Sequence, residues 1–147
     1  MPLRSYSIED GNLQSRSVIS TKKRVYKDLD LTFARAPNND VFKKTDAAAV
    51  KQSVKNILLT NRLEKPFNAT FGGNLNRFLF ELSTYFDEQE IEDDIRETIQ
   101  RYEPRARISS IRVKVNPDIN DINATIVFQI LNTLQSETLE LSLARLR

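Results

Sequence analysis

The 147-residue chain has no cysteine and no histidine. That excludes a thiol nucleophile, an imidazole base and a disulfide framework. A zinc site would have to be built from carboxylates alone, against the usual preference for nitrogen and sulfur ligands. No sign of charge dominates. The 22 basic and 20 acidic residues leave a net charge of +2, whereas a strong nucleic-acid binder carries a larger excess or a basic stripe. No apolar run reaches the length of a membrane span. The N-terminus, MPLRSYSIED, lacks the apolar stretch of a signal peptide. No nucleic acid, membrane or cofactor is therefore expected as a partner. A chain of this length buries a core without metal or disulfide, and the lack of cysteine suits assembly in the cytosol. Glycine occurs three times, twice as the adjacent pair Gly72-Gly73.

What is present divides the chain by period. Residues 1–24 are polar and serine-rich, end in Lys22-Lys23-Arg24, and show no sustained repeat. They read as a flexible N-terminal arm ahead of one domain over 25–147. Leu29, Leu31 and Phe33 alternate with Asp28, Asp30 and Thr32, the pattern of a short extended segment with one buried face. Pro37-Asn38-Asn39-Asp40 reads as a turn. DAAAVKQSVKNILLT predicts a helix capped by Thr45 or Asp46. Val50, Val54, Ile57 and Leu58 form its buried stripe, with Lys51, Gln52 and Lys55 off it. Gly72-Gly73 marks a bend. Leu75, Phe78, Leu79 and Leu82 form a second stripe.

A third helix is expected from Asp87, with Glu90 completing a capping box, and Ile91, Ile95 and Ile99 as its buried row. It should stop before Pro104. The last third turns to period 2. Ile111, Val113 and Val115 alternate with Arg112 and Lys114; NPDINDIN turns the chain; ATIVFQIL is apolar on both faces, as in a central strand. Leu139, Leu141 and Leu143 alternate with polar residues, and a strand is favoured there over a helix through Leu139, Leu143 and Leu146. The fold class is α+β: amphipathic helices packed on a C-terminal antiparallel sheet.

Few residues propose chemistry. A glycosidase needs two carboxylates about 5–9 Å apart across a cleft, and Glu81, Asp87, Glu88 and Glu103 are candidates. Solvated helix faces and caps account for them more simply. Gly72-Gly73 is not followed by Lys-Ser/Thr, so it is no Walker A loop. Phe67, Phe71, Phe78, Phe80 and Phe86 read mostly as core. In Tyr102-Glu103-Pro104-Arg105, a rigid Pro just past a helix fixes the direction in which Arg105 leaves. A guanidinium grips a carboxylate bidentately. From spacing alone, a local salt bridge and a partner contact are equally supported.

Four strings in order resemble the baseplate wedge family of contractile-tailed phages, also called sheath initiators or lysozyme-like baseplate proteins. They are Asp28-Leu29-Asp30-Leu31-Thr32-Phe33, AAVKQSVKNILLTNRLEKPF, Phe71-Gly72-Gly73-Asn74-Leu75 with Leu79-Phe80-Glu81, and Glu103-Pro104-Arg105. The resemblance runs from about Tyr26 onward. It departs at Ala69-Thr70, where the family carries Pro and an acidic residue, and in the long N-terminal arm. It implies a non-enzymatic subunit of the virion, assembled in the host cytoplasm. Such a subunit sits around the tail tube, docks on a helical core bundle of other wedge subunits and starts polymerisation of the tail sheath protein. It further implies that Glu103, Pro104 and Arg105 lie at the core-bundle contact. By the same resemblance, the C-terminal strands with Leu139, Leu141 and Leu143 offer an edge to the sheath. The alternative function is a peptidoglycan hydrolase using paired carboxylates.

Overall fold

The computed structural model describes residues 26–80, 88–116 and 118–144. The expected arm, residues 1–24, lies outside them, as do Glu81, Leu82, Phe86 and Asp87 with its capping box. Among the described residues a small hairpin comes first, β1 (Lys27–Leu29) paired antiparallel with β2 (Lys43–Thr45). Three helices follow among them: α1 (Asp46–Leu59), α2 (Leu75–Phe80) and α3 (Glu88–Tyr102). The chain ends in an antiparallel meander of β3 (Ala106–Asn116), β4 (Asp121–Ile130) and β5 (Ser136–Ala144), in the order β3-β4-β5. The α+β architecture is thus as expected.

Strand β4 is central because its sequence can be buried. Ile122, Ala124, Ile126, Phe128 and Ile130 are closed to solvent on one face, and the other face is half-covered. Leu139 and Leu141 of β5 and Ile111 and Val113 of β3 extend that face. Val50, Val54 and Leu58 of α1, Leu75, Phe78 and Leu79 of α2, and Ile91, Ile95 and Ile99 of α3 pack down on it. Each fully buried side chain of this size contributes about 1.5–3 kcal/mol before conformational entropy is charged. The α3 row is the predicted one, and α3 ends at Tyr102, two residues before Pro104.

Three expectations are corrected. Leu29, Leu31 and Phe33 do not form a buried face; all three are exposed. The strand stops at Leu29 because Asp30 turns the chain, its carboxylate accepting from the Thr32 N–H at 3.0 Å. Neither Thr45 nor Asp46 caps α1 with its side chain. Instead the Asp46 carboxylate accepts from the Tyr26 N–H at 3.1 Å and ties the incoming chain to the helix. Gln52, expected off the buried stripe, is buried and donates to the Leu29 carbonyl at 2.8 Å.

The glycine pair serves a close approach. Gly72 has φ +107°, and a Cβ there would lie 2.2 Å from the Thr60 carbonyl oxygen. Gly73 donates to the Ile57 carbonyl at 3.0 Å, at the C-terminal end of α1. The preceding loop holds Leu63 and Phe67 in left-handed conformations, φ +72° and +63°. Both side chains point to solvent, so Phe67 is not core, and Phe80 is exposed too. Phe71 packs against Tyr102, ring centroids 5.0 Å apart, and Tyr102 donates its hydroxyl proton to the Thr70 carbonyl.

Candidate protein-binding site

The turn from α3 into β3 is built around Glu103. Its N–H donates to the Ile99 carbonyl at 2.8 Å and its carbonyl accepts from the Ala106 N–H at 3.1 Å. The residue is 2% exposed. Its two carboxylate oxygens each accept one bond from Arg105, from Nε at 2.5 Å and Nη2 at 2.5 Å. Burial alone would raise the pKa of this carboxyl. Hydrogen bonds from Arg105 and Ser53 and the guanidinium charge outweigh that and hold it below the ordinary value. Arg105 lies over the Tyr26 ring, 5.1 Å from its centroid. Pro104 is exposed and Arg105 half-exposed. Of the two readings left open by spacing, the salt bridge is present in the subunit itself. The Glu103 carboxylate is buried and fixes Arg105, whose remaining donors and the Pro104 ring stand at the surface.

The same geometry bears on the hydrolase alternative. Glu88 and Glu103 stand at opposite ends of α3, about 22 Å apart at the helical rise, well beyond the span of a glycosidase pair. Glu81 and Asp87 lie outside the described residues.

Leu139 and Leu141 are 4% and 6% exposed. They and the half-buried Leu143 face the subunit's own core, so the leucine row holds β5 in place. What β5 offers outward is backbone. The Ile130 N–H donates to the Gln135 carbonyl at 2.9 Å, and the register continues as Phe128 opposite Glu137 and Ile126 opposite Leu139. Antiparallel alternation then turns the N–H and C=O of Glu137, Leu139, Leu141 and Leu143 toward β4. Those of Thr138, Glu140 and Ser142 point away, along an edge that pairs with no strand among the described residues.

The opposite edge is covered over its second half. On β3, Val113 and Val115 direct their N–H groups away from β4, and α3 covers them. Glu92 accepts from Val113 at 3.0 Å and Glu88 from Val115 at 3.2 Å. The two carboxylates stand four residues apart on one face of α3, so one helix surface meets two alternate positions of a strand. Sequence spacing offered Glu88 as a glycosidase candidate or a solvated helix face; its strand contact, like that of Glu92, depends on tertiary placement that no local pattern encodes.

A helix-covered, three-stranded antiparallel meander defines the fold class. Residues 44–138 match the family model described as baseplate wedge protein gp25. The baseplate wedge protein gp25 of Enterobacteria phage T4 is 31% identical over 98 residues, covering 67% of this chain and 73% of the relative. The chain belongs to the gp25 baseplate wedge protein family. Two solved structures share the fold. One is a Geobacter sulfurreducens protein carrying a provisional tail-lysozyme label, at 19% identity and TM-score 0.58 over 67% of this chain and 89% of that one. The other is a chain in the baseplate of the anti-feeding prophage, at 20% identity and TM-score 0.56 over 80% of this chain and 84% of that one.

Proposed function

We propose that the protein is a non-enzymatic subunit of a contractile-tail baseplate wedge in the virion, its wedge domain beginning near residue 25. It docks on a helical core bundle of other wedge subunits beside the tail tube and initiates the sheath by accepting a strand. The observation that carries this reading is the asymmetry of the sheet: β3 is covered at Val113 and Val115 by Glu92 and Glu88, and β5 pairs with no further strand among the described residues. An open edge presents unpaired backbone groups that an extended segment satisfies in register. Docking on the bundle is assigned to the exposed Pro104 and the outer donors of Arg105, with Glu103 as the internal anchor that orients them.

The test is Glu140→Pro. Its N–H points away from β4, and proline is tolerated on the free side of an edge strand. The subunit should fold and enter baseplates, while ordered sheath is lost. Normal sheath growth from such baseplates would refute strand addition. Deleting the strand is not equivalent, because Leu139 and Leu141 belong to the core.

A further inference from the structure

We infer that the groove beside the β5 edge selects its occupant: an extended segment of a partner protein that turns an aliphatic side chain and, two residues along, a carboxylate toward α1. The inference rests on the reading of β5 as a strand-accepting edge and adds the chemistry of the strand it accepts.

A strand laid on β5 at the ordinary spacing of about 4.8 Å enters a groove of about 440 Å³. One wall is β5 at Leu139 and Glu140, the other is the turn after β1 at Asp30, Leu31 and Thr32, and α1 forms the floor. Side chains of the added strand alternate, so every second one points to that floor. Ala48, Leu31 and the methylene stems of Lys51 and Lys55 give it apolar surface.

The charge in the groove is unbalanced. Asp30 is already engaged, by the Thr32 N–H at 3.0 Å and by Lys44 at 3.2 Å. Lys51 reaches Glu137 only at 3.8 Å. Lys55 is exposed and makes no ion pair among the described residues. The Glu140 side chain lies on the face of β5 opposite Leu139, away from these ammonium groups. Two lysines one helical turn apart therefore stand over the path of the added strand, and among the described residues no carboxylate is close enough to neutralise both. An inward carboxylate fits them, and an inward lysine is repelled.

The experiment tethers a strand to the full chain. A linker of about ten Gly/Ser residues after Arg147 holds a short alternating Val/Thr segment at millimolar effective concentration. The segment carries either glutamate or lysine at its central inward position. Amide hydrogen exchange of Thr138, Glu140 and Ser142 reports pairing. The glutamate segment should protect these amides at least about five-fold more than the lysine segment, the range expected of partly exposed ion pairs. The double variant Lys51→Glu/Lys55→Glu should reverse that order. Equal protection by both segments would leave strand addition standing and overturn the selectivity. A glutamate preference unchanged by the double variant would overturn its assignment to this groove. No protection by either segment would overturn the strand-accepting edge along with it.

Discussion

Arg105 does at the residue scale what its motif permits and its spacing left open. The guanidinium fork closes on the carboxylate two residues back because Pro104 bends the chain between them, and the pair is sealed by the end of α3. Removing one member strands the other. Arg105→Ala should lower the stability of the free subunit by about 2 kcal/mol, below the range for a fully buried pair because the arginine is partly open to solvent. Denaturant unfolding checks this. Lysine at the same position should recover less than half of the loss, since an ammonium lacks the fork. The carboxyl of Glu103 also sets a pH dependence. Its pKa is lower folded than unfolded, so its contribution is full above the ordinary value of 4.5 and is lost as pH falls through the folded value. Acid should therefore destabilise the wild type below pH 4.5, and Glu103→Gln should show a shallower slope there. The motif drew attention to these three residues; that its acid faces inward was not legible, because burial depends on how α3 meets β3.

Single elements carry the next set of outcomes. Proline at Glu140 and proline at Leu141 differ by one position in sequence and by one side of the strand in space. The first should change the melting temperature little. The second removes an N–H that faces β4 and should unfold the subunit, at a cost of about 3 kcal/mol or more. Thermal melts of both variants test the backbone assignment directly. Gly72→Ala meets both a left-handed φ and the Thr60 carbonyl, and should cost about 2–3 kcal/mol. The strands were largely readable, since ATIVFQIL and the leucine alternation encode burial with period 2. The α3 row was equally plain. The first hairpin was not: Leu29, Leu31 and Phe33 carry a strand pattern, but Asp30 uses its side chain to turn the backbone, and a local polar bond overrode the alternation. Nor did any pattern mark Glu88 and Glu92 as guards of β3, because a helix acid looks the same whether it faces water or a strand edge. Replacing both with alanine exposes two edge N–H groups, and the variant should self-associate at concentrations where the wild type does not. Sedimentation velocity would show it, and an unchanged distribution would argue that covering by α3 suffices.

Among the described residues the three-stranded sheet has a helix-covered face, a β3 edge met by α3 at Val113 and Val115, and a β5 edge that pairs with no strand. The helices occupy the core face, α3 closes the β3 flank, and family membership places this arrangement among baseplate wedge proteins. On the role proposed for it, the subunit is, in the language of polymer chemistry, a monofunctional initiator. A monomer with two reactive ends propagates on itself; one with a single end can start a chain of something else or couple once to its own kind. Two copies meeting through β5 would form a closed pair about a two-fold axis. On the proposed role, a filament begun at the β5 edge lengthens in one direction only, away from the β3 flank that α3 covers at Val113 and Val115.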